Sequence, residues 1–186
     1  ALCTSVNNTV QHGVPRADEI LKEGDIINLD MSIGYEGMIV DSGITVPVGK
    51  IDTVSQKLID VTREALALGI KQAKPGNHIG DISHAVQTFV ESRGFSIVEV
   101  LCGHGVGHKV HEEPQIPNFG KAGTGPEIKV GNVFAIEPIV NVGGKEVYFD
   151  DDGDGYSVYT VDGSRAAHFE HTVAVTPSGP EIMTKE

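Results

Sequence analysis

The segment Cys102-Gly103-His104-Gly105-Val106-Gly107-His108-Lys109-Val110-His111-Glu112-Glu113-Pro114 sets three histidines among glycines in one short stretch. Neutral imidazole is the commonest metal ligand and the usual proton carrier near neutral pH. Glycine lets backbone pass close to an ion or substrate without a side chain in the way. A histidine cluster alone is weak evidence, since surface histidines are common. Four acids at the ends of strand-like runs strengthen it: Asp30, Asp41, Glu137 and Glu170. Four carboxylates and one imidazole are too much negative charge for one empty pocket. Two divalent cations would balance it, and these donors suit Mn, Fe, Co or Zn more than Cu. In such a site the ions lie about 3.5–4 Å apart, and a shared water becomes the nucleophile.

The elements that must position these groups follow from periodicity. Residues 25–33 alternate with period two, Ile27, Leu29, Met31 and Ile33 on one face and Asn28, Asp30 and Ser32 on the other. A turn at Gly34-Tyr35-Glu36-Gly37 returns the chain into a strand from Met38 to Val46. With Tyr35-Glu36 as the two-residue loop, Asp30 falls directly opposite Asp41. Carboxylates about 4.5–5.5 Å apart across a ladder must share a proton or hold a cation between them. Val54, Leu58, Val61, Ala65 and Leu68 form a helical stripe, with Thr53 and Gln56 offering a capping box and Pro75-Gly76 a stop. Ile79, Ile82, Val86, Phe89 and Val90 form a second helix closed by Gly94, on which His78 and His84 read as surface residues. Further strands are predicted at 95–101, 132–142, 145–149, 156–161 and 168–176.

One internal repeat bears on the architecture. Leu21-Lys22-Glu23-Gly24-Asp25-Ile26-Ile27-Asn28-Leu29-Asp30 aligns with Ile128-Lys129-Val130-Gly131-Asn132-Val133-Phe134-Ala135-Ile136-Glu137. Apolar, Lys, Gly, polar, apolar and acid positions recur in order. Duplicated halves would carry Asp30 and Glu137 to equivalent places around a pseudo-twofold axis.

Length and composition narrow the class. One domain spanning 1–186 is long enough to bury a core without staples. A net charge of −12 argues against direct binding to a nucleic-acid backbone, which needs a basic stripe. Two cysteines, Cys3 and Cys102, make no disulfide framework, which points to a reducing, cytoplasmic setting. No apolar run approaches the roughly 18 residues of a membrane span, and no export signal is visible.

Seven motifs in register carry a resemblance over essentially the whole chain. Asn7-Asn8-Thr9-Val10-Gln11-His12-Gly13-Val14-Pro15, Asn28-Leu29-Asp30, Val40-Asp41, Cys102-Gly103-His104-Gly105, His111-Glu112-Glu113-Pro114, Ala135-Ile136-Glu137-Pro138 and Phe169-Glu170-His171-Thr172 resemble the type I methionine aminopeptidases. The resemblance implies an α+β pita-bread fold: a pseudo-twofold antiparallel sheet with covering helices, around a dinuclear metal site. It implies removal of the N-terminal methionine from nascent proteins and peptides with a small second residue. Asp30 would ligate one metal, Asp41 and Glu170 would bridge both, and His104 and Glu137 would complete the other. Glu137 would also take a proton from the attacking water. His12 and His111 match the family's two non-ligand histidines, which contact the scissile amide and its tetrahedral intermediate. Cys3 and Tyr156 match positions lining the methionine pocket. Val110 stands where a larger apolar or aromatic residue is common, which implies a wider pocket. His108 and His171 read as supporting residues, and His168 is ambiguous.

Two departures stand out. The family carries a further N-terminal segment, with helices that cover the sheet, before the point where this chain starts. Its absence would leave apolar sheet uncovered, so a homodimer or a complementing chain is expected there. The run Asp150-Asp151-Asp152-Gly153-Asp154-Gly155 opens like a calcium loop, but Val161 stands where the closing glutamate belongs, so it reads as an acidic hairpin tip. The nearest alternative is an Xaa-Pro aminopeptidase or dipeptidase of the same fold. A non-catalytic pita-bread binding module is the alternative from another class, although all five ligand positions are intact.

Overall fold

A computed structural model describes residues 2–151 and 153–185. In chain order the elements are β1 (Leu2–Val6), β2 (Thr9–Gln11), β3 (Ile26–Tyr35), β4 (Met38–Pro47), α1 (Thr53–Gln72), α2 (Ile79–Ser92), β5 (Ser96–Ile97), β6 (Cys102–Gly105) and β7 (Glu112–Pro117). They continue with β8 (Val133–Ile136), β9 (Ile139–Asn141), β10 (Val147–Phe149), β11 (Val158–Thr160), β12 (Ala166–His168), β13 (Glu170–Thr176) and β14 (Gly179–Ile182). The main antiparallel sheet runs β1-β3-β4-β13-β8-β6-β7, with β14 beside β13. Two three-stranded sheets, β10-β11-β2 and β12-β9-β5, stand next to it.

The sheet has the pseudo-twofold arrangement that the repeat implies. The β3–β4 pair on one side of the β4–β13 junction answers the β8–β13 pair on the other. The repeated sequences enter their strands through the same turn. Asp25 Oδ2 accepts from Lys22 N–H at 2.8 Å, and Asn132 Oδ1 accepts from Lys129 N–H at 2.8 Å. Gly24 and Gly131 sit at φ 100° and 92°, backbone that glycine enters without steric cost. Gly24 N–H donates to Val48 O, and Gly131 N–H to Val175 O. The likeness of the two segments is therefore a likeness of turn, strand and partner.

The two helices cover the face of β8 and β13 that points away from the acids. Leu58, Ile59, Ala65, Leu66 and Ile70 of α1 and Ile79, Ile82, Val86 and Val90 of α2 are buried with Phe134, Ile136, Val173 and Val175. The stripe on α1 is rotated from the one read in the sequence, since Val54 is exposed and Leu68 half-buried. Its cap is also one residue earlier. Asp52, rather than Thr53, accepts from Val54 and Ser55 N–H at 2.9 Å, and Arg165 ties that carboxylate down at 2.6 Å. A carboxylate satisfies two orphan donors and favours the positive helix end. His78 and Asp81 open α2, with His78 N–H donating to Asp81 Oδ2.

Among the described residues, the same face on β1, β3 and β4 has no such cover. Leu2, Met31, Ile33, Tyr35, Met38 and Ile44 are exposed there. Among the described residues no helix is long and apolar enough to cross a membrane.

The hairpin register differs from the expectation. Ser32 pairs with Asp41 and Asp30 with Gly43, because the loop is Glu36-Gly37 rather than Tyr35-Glu36. Both loop residues have positive φ, 48° and 81°, as a type I′ turn requires, and Gly37 supplies one of them without strain. Asp30 and Asp41 share the site face as diagonal neighbours, not as a directly opposed pair. The strand β7 was not expected, since Pro114 and Pro117 argue against a strand. It lies at the sheet edge, where a missing N–H costs little.

Candidate metal and catalytic site

The expected strand over 132–142 breaks at Glu137-Pro138, and that over 168–176 breaks at Phe169. On each side of these breaks the pairing keeps one register: His168 with Ile139, then His171 with Ile136. Continued across the gap, this register sets Glu137 opposite Glu170. Both carboxylates sit where the ribbon passes from one sheet to the next, and both are buried. The directly opposed acid pair expected on the first hairpin is found on this second ribbon.

A cavity of about 1130 Å³ collects the site. All ten residues singled out from the sequence line it: Cys3, His12, Asp30, Asp41, His104, Val110, His111, Glu137, Tyr156 and Glu170. Asp41, His104 and Glu170 each offer a donor atom within 4.8 Å of the others. Glu137 Oε1 lies 3.5 Å from His104 Nε2. Asp41 is held by Ser32 Oγ at 3.0 Å, while its backbone N–H donates to Thr172 Oγ1 at 2.8 Å. His104 Nδ1 is 2.9 Å from Gly105 O. A carbonyl only accepts, so Nδ1 carries the proton and Nε2 presents a bare lone pair toward Glu137.

The charge balance points to a cation. Burial pushes Glu137 and Glu170 well above the usual carboxylate range, and the neighbouring acids push further. Asp30 rises to about 6, through burial and then Asp41. Burial lowers the His104 imidazole, which keeps it neutral and able to ligate. An imidazole lone pair facing a carboxyl, ringed by acids that resist ionising together, fits divalent metal by charge and donor type.

The flanks suit an amide substrate. His111 meets the edge of His104 with ring centroids 4.4 Å apart. His12, with φ 58°, stacks obliquely on Tyr156 at 5.4 Å, and burial lowers its imidazole. Cys3 pairs with Asp30 across β1 and β3, and burial raises its thiol. Tyr156 is exposed at the rim and follows the acidic turn, whose Asp154 accepts from Tyr156 N–H, Ser157 N–H and Ser157 Oγ. Asp152 lies outside the described residues.

Other histidines divide sharply. His84 and His108 are exposed and His78 half-buried. His171 turns away to Thr184 Oγ1 at 2.9 Å. His168 is wholly buried beside Glu137 and Glu170. Sequence reading missed Gln11, whose amide donates to Glu137 Oε2 at 2.8 Å. Its place beside His12, inside a quoted motif, was the available signal.

Gly103 and Gly105 of the histidine segment serve the sheet more than a ligand. A Cβ on Gly103 would lie 2.4 Å from Ala135 O, and one on Gly105 would lie 2.3 Å from Glu113 O. Gly103→Ala should therefore push β6 off β8, costing about 1–3 kcal/mol as overpacking does. A thermal melt checks it, with no change in midpoint as the contrary result.

Metallopeptidase family M24 matches residues 1–177. Methionine aminopeptidase 1 of Bacillus subtilis is 46% identical over 185 residues, 100% of this chain and 73% of that protein. The crystal structure of methionine aminopeptidase from Thermotoga maritima superposes with a TM-score of 0.96 at 47% identity, covering 100% of this chain and 74% of that one. Prolidase from Pyrococcus furiosus, at 22% identity and a TM-score of 0.78 over 100% of this chain and 49% of its own, shares the fold alone.

Proposed function

Because this chain belongs to metallopeptidase family M24, we propose that it works as its methionine aminopeptidase relatives are named. It is a metal-dependent aminopeptidase that hydrolyses N-terminal methionine from nascent proteins and peptides with a small second residue. The observation that carries this reading is the meeting of every expected site residue in one cavity. Residues 1–186 act as one catalytic domain.

Asp30, Asp41, His104, Glu137 and Glu170 would hold two divalent ions, with Co, Mn, Fe and Zn all suited to the donors. Such ions supply Lewis-acid polarisation of a carbonyl and an acidified water at neutral pH. The protein supplies the rest. Gln11 holds one oxygen of Glu137 and so orients the other toward His104. Glu137, made basic by burial, takes the proton of the attacking water and returns it to the leaving amine. His12 and His111, on the open side, donate to the amide as charge develops on its oxygen. Cys3, Val110 and Tyr156 form the walls for the methionine side chain, where a polarizable thiol suits a thioether. His111→Ala should lower kcat by about a hundredfold with metal binding intact. Steady-state kinetics beside a metal titration checks this, and an unchanged kcat would remove His111 from the reaction.

The deciding experiment is release of free methionine from Met-Ala-Ser by metal-stripped protein, with and without added Co or Mn. Metal-dependent release is expected. Cleavage of Ala-Pro peptides instead would favour the Xaa-Pro alternative, and no metal uptake would favour a binding module. The free thiols Cys3 and Cys102 suit a reducing cytoplasm. The exposed face of Leu2, Met31, Ile33 and Ile44 takes a second copy or a complementing chain. Light scattering tests this, and a monomer with no bound partner overturns it.

A further inference from the structure

We propose that His168 is a positioning residue for Glu137, its Nε2–H holding the carboxylate oxygen that faces away from His104. The inference rests on the metallopeptidase reading above. His168 Nε2 lies 3.5 Å from Glu137 Oε2 and 3.9 Å from Glu170 Oε2. It is buried and has no hydrogen-bond partner among the described residues. An unsatisfied buried donor is costly, and these carboxylates are the acceptors it faces. The ring's other nitrogen is 3.4 Å from Asn28 Oδ1, a contact of similar length. With Glu137 ionised, as a bound cation requires, its carboxylate is a stronger acceptor than the Asn28 amide oxygen, which places the one ring proton on Nε2.

The backbone of His168 is pinned as firmly as its ring is placed. Its N–H donates to Thr45 Oγ1 at 3.0 Å, and its carbonyl accepts from Thr45 Oγ1 at 2.8 Å and Asn28 Nδ2 at 2.9 Å. Gly43 on β4 is the seat for the ring. A Cβ there would lie 2.9 Å from His168 Cε1 and 3.1 Å from Nδ1. Gly43 has no left-handed φ, so the demand for glycine there is one of space. His168 does not line the cavity, so it acts through Glu137. Gln11 and His168 on one oxygen stop the carboxylate rotating and leave Oε1 toward His104 Nε2, as outer partners of metal ligands do.

The test is calorimetric titration of metal-stripped protein with Mn(II), beside a melting curve for each variant. His168→Gln keeps a donor near the Nε2 position and should hold Mn(II) within about threefold of the parent. His168→Leu fills space without a donor and should weaken binding about ten- to a hundredfold. Gly43→Ala, which displaces the ring and leaves it chemically intact, should show the same loss. Parent-like binding by His168→Leu overturns the proposal, as does a His168→Gln variant as weak as His168→Leu. Should His168→Leu fail to fold, unchanged affinity in Gly43→Ala overturns it. A parent that takes up no Mn(II) would instead overturn the metal reading, so the two failures are told apart.

Discussion

Replacing Glu170 with glutamine should cut metal-dependent release of methionine by about a thousandfold or more, while raising the melting temperature of the metal-free protein. The activity loss follows from removing a charged donor from the Asp41–His104–Glu170 group, within the about 10²–10⁴-fold span expected for a group acting in the transition state. The stability gain follows from the register that opposes Glu170 to Glu137 with both carboxylates buried. Glutamine keeps the shape, is neutral without having to take up a proton and offers an N–H to the acid beside it. Removing the cost of holding a buried carboxyl neutral is worth about 1–3 kcal/mol, or a rise of roughly 2–10 °C for a chain of this size. Turnover and scanning calorimetry on the same preparation read both effects. Turnover within tenfold of the parent, or a lowered midpoint, would sink the assignment. Function here is held at the expense of stability, as at many active sites.

As pH climbs and the buried acids give up their protons, the metal-free protein should lose the stability they contribute, and Mn(II) should abolish that loss. The sign comes from proton counts in the two states. Asp30, raised from 3.8 to about 6, and Glu137 and Glu170, raised well above 4.5, hold protons in the folded state that the unfolded chain has released. Their contribution therefore falls as pH climbs through and past the unfolded values. The histidines oppose this at lower pH. His12 and His104 are lowered from 6.5, and His168 falls to about 3, so the unfolded chain binds more protons until pH 6.5. Once the histidine contribution is complete, further ionisation of the raised acids lowers stability. A bound cation needs them ionised and removes the penalty. Melting curves across a pH series, with and without Mn(II), decide the matter. A metal-free midpoint no more sensitive to rising pH than the Mn(II)-loaded one would contradict the buried acid pair.

Much of the site was legible in the chain because its chemistry lies in residue types. Asp30 and Asp41 stood out in a strand of period two, His104 in a glycine-rich strand end, and Glu137 through its repeat partner. The repeat proved exact in a physical sense, since Lys22–Asp25 and Lys129–Asn132 make the same side-chain-capped turn. The helix stripes and caps came out within a residue or a fraction of a turn. The cap moved from Thr53 to Asp52 because a carboxylate competes better for orphan N–H groups than a neighbouring hydroxyl.

Register and reach were decided only in three dimensions. Choosing Glu36-Gly37 over Tyr35-Glu36 as the hairpin loop moved Asp41 from opposite Asp30 to opposite Ser32. The turn takes the pair of residues that tolerates positive φ, and period-two alternation is satisfied by either choice. The opposition of Glu137 and Glu170 depends on strands far apart in sequence, whose pairing no local pattern encodes. The same holds for His168, ambiguous as a residue type, which became a partner of Glu137 only because Gly43 on a distant strand left room for its ring. The chain by itself determined which groups can bind metal and move protons, since side-chain chemistry is local. The tertiary structure decided which of them face one another, since distance and burial belong to the packed sheet.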